Sequence, residues 1–209
     1  MARVYILRFL IVSIEVALLL LMSSAFSYSR VLINEVLYDP PGGDRGCFVE
    51  LVGDPGLSLD DHFLVGVNGE DGKQYSLIDL SGHRIPADGY FVIAQDESVP
   101  GAELIDAKAD LQNGPDNIEL WSGDNRIDSV GYGDFSVAAF TGEGEPTLDP
   151  PGYSIGRRPD GLDTNNNSFD FVGLALPSPG ASNGPGANVV SFGKLTSVWG
   201  RIKHNQSGH

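Results

Sequence analysis

From residue 30 to residue 180, short apolar runs alternate with turn residues. The runs are "RVLINEVLY" (30–38), "CFVELVG" (47–53), "HFLVGVNG" (62–69), "KQYSLIDL" (73–80), "GYFVIAQ" (89–95), "DNIELWS" (116–122), "RIDSVGYG" (126–133), "YSIGRR" (153–158) and "FDFVG" (169–173). They are rich in Val, Ile, Tyr and Phe, the residues that suit a pleated, half-buried surface. The separators "DPPGGD", "GDPG", "NGEDG", "PADG", "NGPDN" and "SGDN" supply positive or pre-set φ angles. "NGEDGKQY" and "WSGDNRI" have the composition of hairpin turns. No stretch of this region repeats its apolar residues every 3.6 positions. Many short strands at this spacing predict an all-β sandwich or barrel. Two longer connections, 135–152 and 159–168, read as a surface excursion and a compact polar loop.

The two ends differ from this body. Residues 1–27 have a basic start at Arg3 and Arg8, an apolar stretch densest at Val16 to Met22, and a small-residue exit "SSAFS". That is the layout of a secretory signal peptide, with cleavage expected after Ala25 or Ser27. An uncleaved membrane anchor is the competing reading. Arg8 and Glu15 weigh against it, since a charge at mid-membrane costs about 2.5–3.5 kcal/mol. Residues 28–184 form the expected domain, and 185–209 a linker with a short amphipathic tail. In that tail Leu195, Val198, Trp199 and Ile202 fall on one helical face, beside Lys194, Arg201 and Lys203.

The formal net charge is −15, and removing residues 1–27 leaves the remainder no less acidic. Such a surface repels phosphate backbones, so nucleic-acid binding is disfavoured. Cys47 is the only cysteine, which rules out an internal disulfide; it reads as a small buried hydrophobe.

The order of "VLINEVLYDP", "CFVELVG", "GYFVIA", "NGPDNIELWSGDNRIDSVGYGD", "YSIGRRPDGLDTNNNSFDF" and "PSPGASN" resembles the lamin tail domain, in the form carried by exported bacterial proteins. The likeness spans about residues 30–184. It implies an immunoglobulin-like β-sandwich acting as an interaction module, not an enzyme. Animal members follow a coiled-coil rod; this chain has no heptad segment, so filament formation does not carry over.

Glu35 and Glu50 stand in the middle of apolar runs. A pair of carboxyls is the equipment of a glycoside hydrolase, and this is the enzymatic alternative. By simple alternation Ile33 and Glu35 share one face while Asn34 and Val36 share the other. The plainer reading places each glutamate on a polar face or against a backbone N–H or an arginine, with Arg157 and Arg158 as available partners. "DGLDTNNNS" puts Asp163, Asn165 and Asn167 at alternate positions, like the first half of a calcium loop. Ser168 replaces the expected glycine and Leu174 the expected glutamate, so turn chemistry explains the loop better. His62, His83, His204 and His209 lack metal-ligand spacing, and no serine lies in a G-x-S-x-G setting. Trp121, Tyr132 and Phe135 would be sugar platforms if they lined one exposed face. The sequence thus predicts a secreted or envelope-associated module with no catalytic, cofactor or metal residues. Its expected partner is a protein or a surface polymer, and the membrane is touched only through an uncleaved N-terminal segment. Ile33, Val49, Leu51, Phe91, Ile93, Ile118, Leu120 and Val130 are the expected core.

Overall fold

The computed structural model describes residues 30–43, 45–135 and 139–183. The expected signal segment and the expected C-terminal amphipathic stripe lie outside the described residues. Among the described residues, ten strands form two sheets. They are β1 (Val31–Leu37), β2 (Phe48–Gly53), β3 (His62–Asn68), β4 (Gln74–Asp79), β5 (Tyr90–Ala94), β6 (Leu104–Ile105), β7 (Asp116–Ser122), β8 (Asn125–Tyr132), β9 (Ser154–Arg157) and β10 (Phe171–Leu174). The larger sheet has the order β10-β9-β1-β2-β5-β6 and the smaller β4-β3-β7-β8. Nine of these strands fall within the nine runs of the sequence reading, apart from Asn125, one residue ahead of its run, and Leu174, one residue past its own. The tenth, β6, is two residues long and pairs in parallel with β5. So short a segment carries no period for a sequence to show.

Between the sheets lies a continuous apolar core. All eight expected core residues are in it, each at most 1% exposed. Alternation explains the faces. Val49 and Leu51 of β2, and Phe91 and Ile93 of β5, point inward. Their neighbours Phe48, Val92 and Ala94 turn outward and join Leu37 and Val99 in a smaller cluster on the far side of the larger sheet.

Strand β1 departs from alternation. Opposite β2, Ile33 pairs with Leu51 but Glu35 pairs with Glu50, so Asn34 is an extra residue and β1 carries a β-bulge. The core set along β1 is therefore Val31, Ile33, Val36 and Tyr38. This corrects the expectation that Ile33 and Glu35 share a face. The bulge shifts the pattern by one residue, which sends every later side chain to the opposite side. Glu35 thereby leaves the core face and lies beside Glu50.

Within the 135–152 connection, residues 139–152 are more than the surface excursion expected from its composition: they pack along β8 while Gly144, Glu145 and Leu148 stay exposed. Thr147 bridges Tyr132 in parallel, and Ala139 and Thr147 are buried. Glu143 and Glu145 carbonyls accept from Asn167 and Ser168 N–H at 2.9 and 3.0 Å. The segment covers the outer edge of β8, where unpaired backbone groups would otherwise face water. A glycine makes room for it: a Cβ on Gly131 would lie 2.4 Å from the Phe140 ring.

Candidate functional site

Glu35 and Glu50 are direct cross-strand partners on the outer face of the larger sheet, and both are 0% exposed. A segment from Pro177 to Asn183 lies over them as a strap. Ser154 Oγ donates to Glu35 Oε1 at 2.5 Å, the Ser178 N–H reaches both Glu35 oxygens at 3.1 Å, and Ser178 Oγ donates to Oε2 at 2.9 Å. Glu50 accepts from the Asn34 amide at 2.9 Å and from the Gly180 N–H at 2.7 Å. A third carboxylate, Asp160, takes the Asn34 amide and the Asn183 N–H, both at 3.0 Å, and also accepts from the Ser182 hydroxyl. Asn183 is 1% exposed and its amide donates to the Asn34 and Arg157 carbonyls. Asn34, the bulge residue, thus links two of the three acids.

Burial dominates the electrostatics here. It pushes the Glu50 carboxyl up to about 8, against the lowering effect of its hydrogen bonds from Asn34 and Gly180, while Glu35 and Asp160 raise it further. Glu35 is raised for the same first reason, against its hydrogen bonds from Ser154 and Ser178. Asp160, though partly desolvated, is held below its ordinary value by hydrogen bonds from Ser182, Asn34 and Asn183. The two glutamates do share one site, as a hydrolase pair would. That site is roofed, and neither carboxyl reaches solvent.

The expected ion pair with Arg157 is not made to these glutamates. Arg157 is 0% exposed and points through the core towards the smaller sheet. Its Nη2 meets Asp128 Oδ1 at 2.8 Å, and its Nη1 meets Asp170 Oδ2 at 3.1 Å and Asp163 Oδ1 at 3.6 Å. Its Nε donates to the Ile33 carbonyl at 2.8 Å, and Asp128 Oδ2 accepts from the Ile33 N–H at 2.7 Å. Both backbone groups of Ile33, at the start of the bulge, are therefore satisfied by this cross-sheet network rather than by water. The guanidinium also lies 4.6 Å from the Phe171 ring centroid. Desolvation raises Asp128 despite Arg157 beside it. Strand parity alone does not reveal this network, because its members come from four distant runs.

The loop 159–168 does what its Asp and Asn content suggests. Asp163 accepts from the Asn165 N–H at 3.0 Å, and Asn166 caps a helical turn, α1 (Asn167–Asp170). Asn167 is buried: its Oδ1 takes the Gly131 and Glu143 N–H groups at 2.9 Å, and its Nδ2 donates to the Ser129 carbonyl. That oxygen is already engaged, and Asp163 faces Arg157, so the alternating set is not assembled as a calcium shell. Among the described residues no cluster of three His, Cys, Asp or Glu side chains is arranged to hold a metal.

The aromatic residues separate. Tyr132 is 0% exposed, stacks on Tyr38 at 4.2 Å, and donates to the Gln112 carbonyl. Phe135 meets Phe140 edge to face at 5.0 Å. Trp121 alone lines a groove, of about 390 Å³, on the outer face of the smaller sheet. Phe63 is its direct cross-strand partner, and Val65, Val67 and Leu77 continue the apolar floor. Glu119 fixes the indole by accepting its N–H at 2.8 Å and is itself paired with Arg126 at 3.0 Å. Thr141, on the rim, has a buried hydroxyl without a hydrogen-bond partner.

Cys47 is buried with its sulfur 3.3 Å from the Tyr38 carbonyl, and His83 packs edge-on against Phe91 at 5.4 Å. Comparison with protein-family models, with curated proteins and with solved structures finds no match to this chain.

Proposed function

We propose that this chain is an exported, non-catalytic interaction module that docks to a protein or a surface polymer through the outer face of its smaller sheet. The order of motifs that resembles the lamin tail domain, with its immunoglobulin-like sandwich, supports this reading. The observation that carries it is the use made of Glu35 and Glu50. Both carboxyls are buried and hydrogen-bonded by donors from β9, the β1 bulge and the strap, so they have the partners of structural residues. A hydrolase needs its acid and base within reach of a substrate proton. The groove offers the contrasting surface. Its indole is pinned by Glu119, which lowers the entropy lost on contact, and aromatic side chains dominate binding surfaces.

Carbohydrate is a second reading for the same groove, favoured by two aromatic side chains, Trp121 and Phe63, directly opposed across the strands that line it. The test compares the parent with Trp121→Ala for retention on envelope fractions and on insoluble glycans. Retention lost on both, at unchanged melting, supports the groove as the docking face, and glycan-specific loss selects carbohydrate. Equal retention of Trp121→Ala refutes the groove. Glycosidase turnover that vanishes in Glu35→Gln and Glu50→Gln, with the fold intact, would overturn the class.

A further inference from the structure

A strap of hydrogen-bond donors roofs two directly opposed glutamates on the larger sheet. Strap donors converge on three carboxylates: the N–H groups of Ser178, Gly180 and Asn183, and the hydroxyls of Ser178 and Ser182. The roofed groups come from separate elements, Glu35 from β1, Glu50 from β2 and Asp160 from the turn after β9, with the Tyr90 hydroxyl of β5 at 3.3 Å from Asp160. Glu35 and Glu50 are directly opposed, so ionising both under the roof places two like charges side by side without water.

We propose that residues 177–183 are a proton-gated strap, docked while Glu35 and Glu50 retain a proton between them and lifted when both ionise. The physical basis is linkage. With the strap down, desolvation favours the protonated form and outweighs the Ser178 and Gly180 donors of the strap, which favour the anion; Glu50 then holds its proton to about 8. With the strap up, the carboxyls are hydrated and ionise in the ordinary range of about 4.3. Lifting therefore releases protons, and it becomes more favourable as pH rises between those two values. One proton released makes the opening equilibrium about tenfold larger per pH unit. Asp160, already favoured as the anion by its hydrogen bonds, adds repulsion but little titration in this window. Tyr90, raised from its ordinary value, stays neutral throughout.

The test is hydrogen–deuterium exchange on the full chain at pH 5.5, 7 and 8.5, corrected for the intrinsic base catalysis of exchange. Peptides spanning 175–183 are compared with those spanning β2. The expected result is a progressive loss of protection over the strap, approaching about tenfold per pH unit, while β2 stays protected. Glu50→Gln, which cannot ionise, should keep the strap protected at pH 8.5. Should that variant fold poorly, Ser178→Ala supplies a second arm, raising strap exchange at every pH while preserving its slope. Strap protection that is flat with pH, or that falls in step with β2, overturns the proposal. So does a Glu50→Gln slope equal to the parent's.

Discussion

Replacing Arg157 with Met should be among the most damaging single changes in the domain. The side chain is fully buried, and so are the carboxyls of Asp128 and Asp170 that it pairs with. Methionine fills most of the volume but supplies no donor. Removing one partner of a buried ion pair costs about 3–5 kcal/mol, because the survivor is left charged and dry. Here two carboxyls and the Ile33 carbonyl lose a donor at once. A loss of about 5 kcal/mol is thus the expectation, comparable with the whole stability of a marginal domain. The assay is urea unfolding at pH 7.5 and pH 5. The Asp128 carboxyl, raised by desolvation even beside Arg157, should take up a proton in the variant, so its deficit should shrink at pH 5. Arg157→Lys should fall between, since a single ammonium cannot serve acids on both sides of the fork. Replacing Arg157, Asp128 and Asp170 together with apolar residues should recover much of the loss. An Arg157→Met deficit below about 1 kcal/mol, or one insensitive to pH, would refute the argument.

Other expectations follow from the same structure. Val49→Ala and Leu51→Ala each empty a fully buried core position and should cost about 2–5 kcal/mol in denaturant melts; parental melting of both would mean the register of β2 is wrong. Glu50 is raised above its unfolded value, so its contribution to stability is complete below about 4.5 and is lost as pH rises through about 8; Glu50→Gln should flatten the fall in melting temperature between pH 5 and 8.5. Asp116, pushed up to about 7 by burial, acts in the same direction, and Asp116→Asn should remove its share of that slope. N-terminal sequencing of secreted material should begin at Phe26 or Tyr28; an intact Met1 in membrane pellets would favour an anchor.

Strand positions and core faces were legible in the sequence because they depend on local periodicity. Ile118 and Leu120 of β7 alternate cleanly with Asn117 and Glu119, and the structure puts them in the core. The site was less legible for a definite reason. Asn34 and Glu35 look like ordinary alternating residues, and nothing local marks the inserted position. The bulge is paid for by Asp128 and Arg157, which lie 95 and 124 residues away from Ile33. The "PSPGASN" stretch has linker composition, yet Ser178 and Asn183 are anchored by buried partners on β1. Proline and glycine content reports that a segment cannot be a regular element; it does not report whether a buried carboxylate waits beneath it. Arg157 offered itself in the sequence as a cation on a late run, but it projects to the core face, onto Asp128, and the glutamates project to the other.

The acids hold the fold together, and on the proposed reading the groove makes the contact. Retention on envelope fractions separates the two when parent, Trp121→Ala and the Glu35→Gln/Glu50→Gln double variant are measured together, each shown to be folded. Trp121→Ala should be lost from the envelope while the double glutamine variant is retained like the parent. Retained Trp121→Ala beside a lost double variant would contradict this reading and move function to the carboxylates.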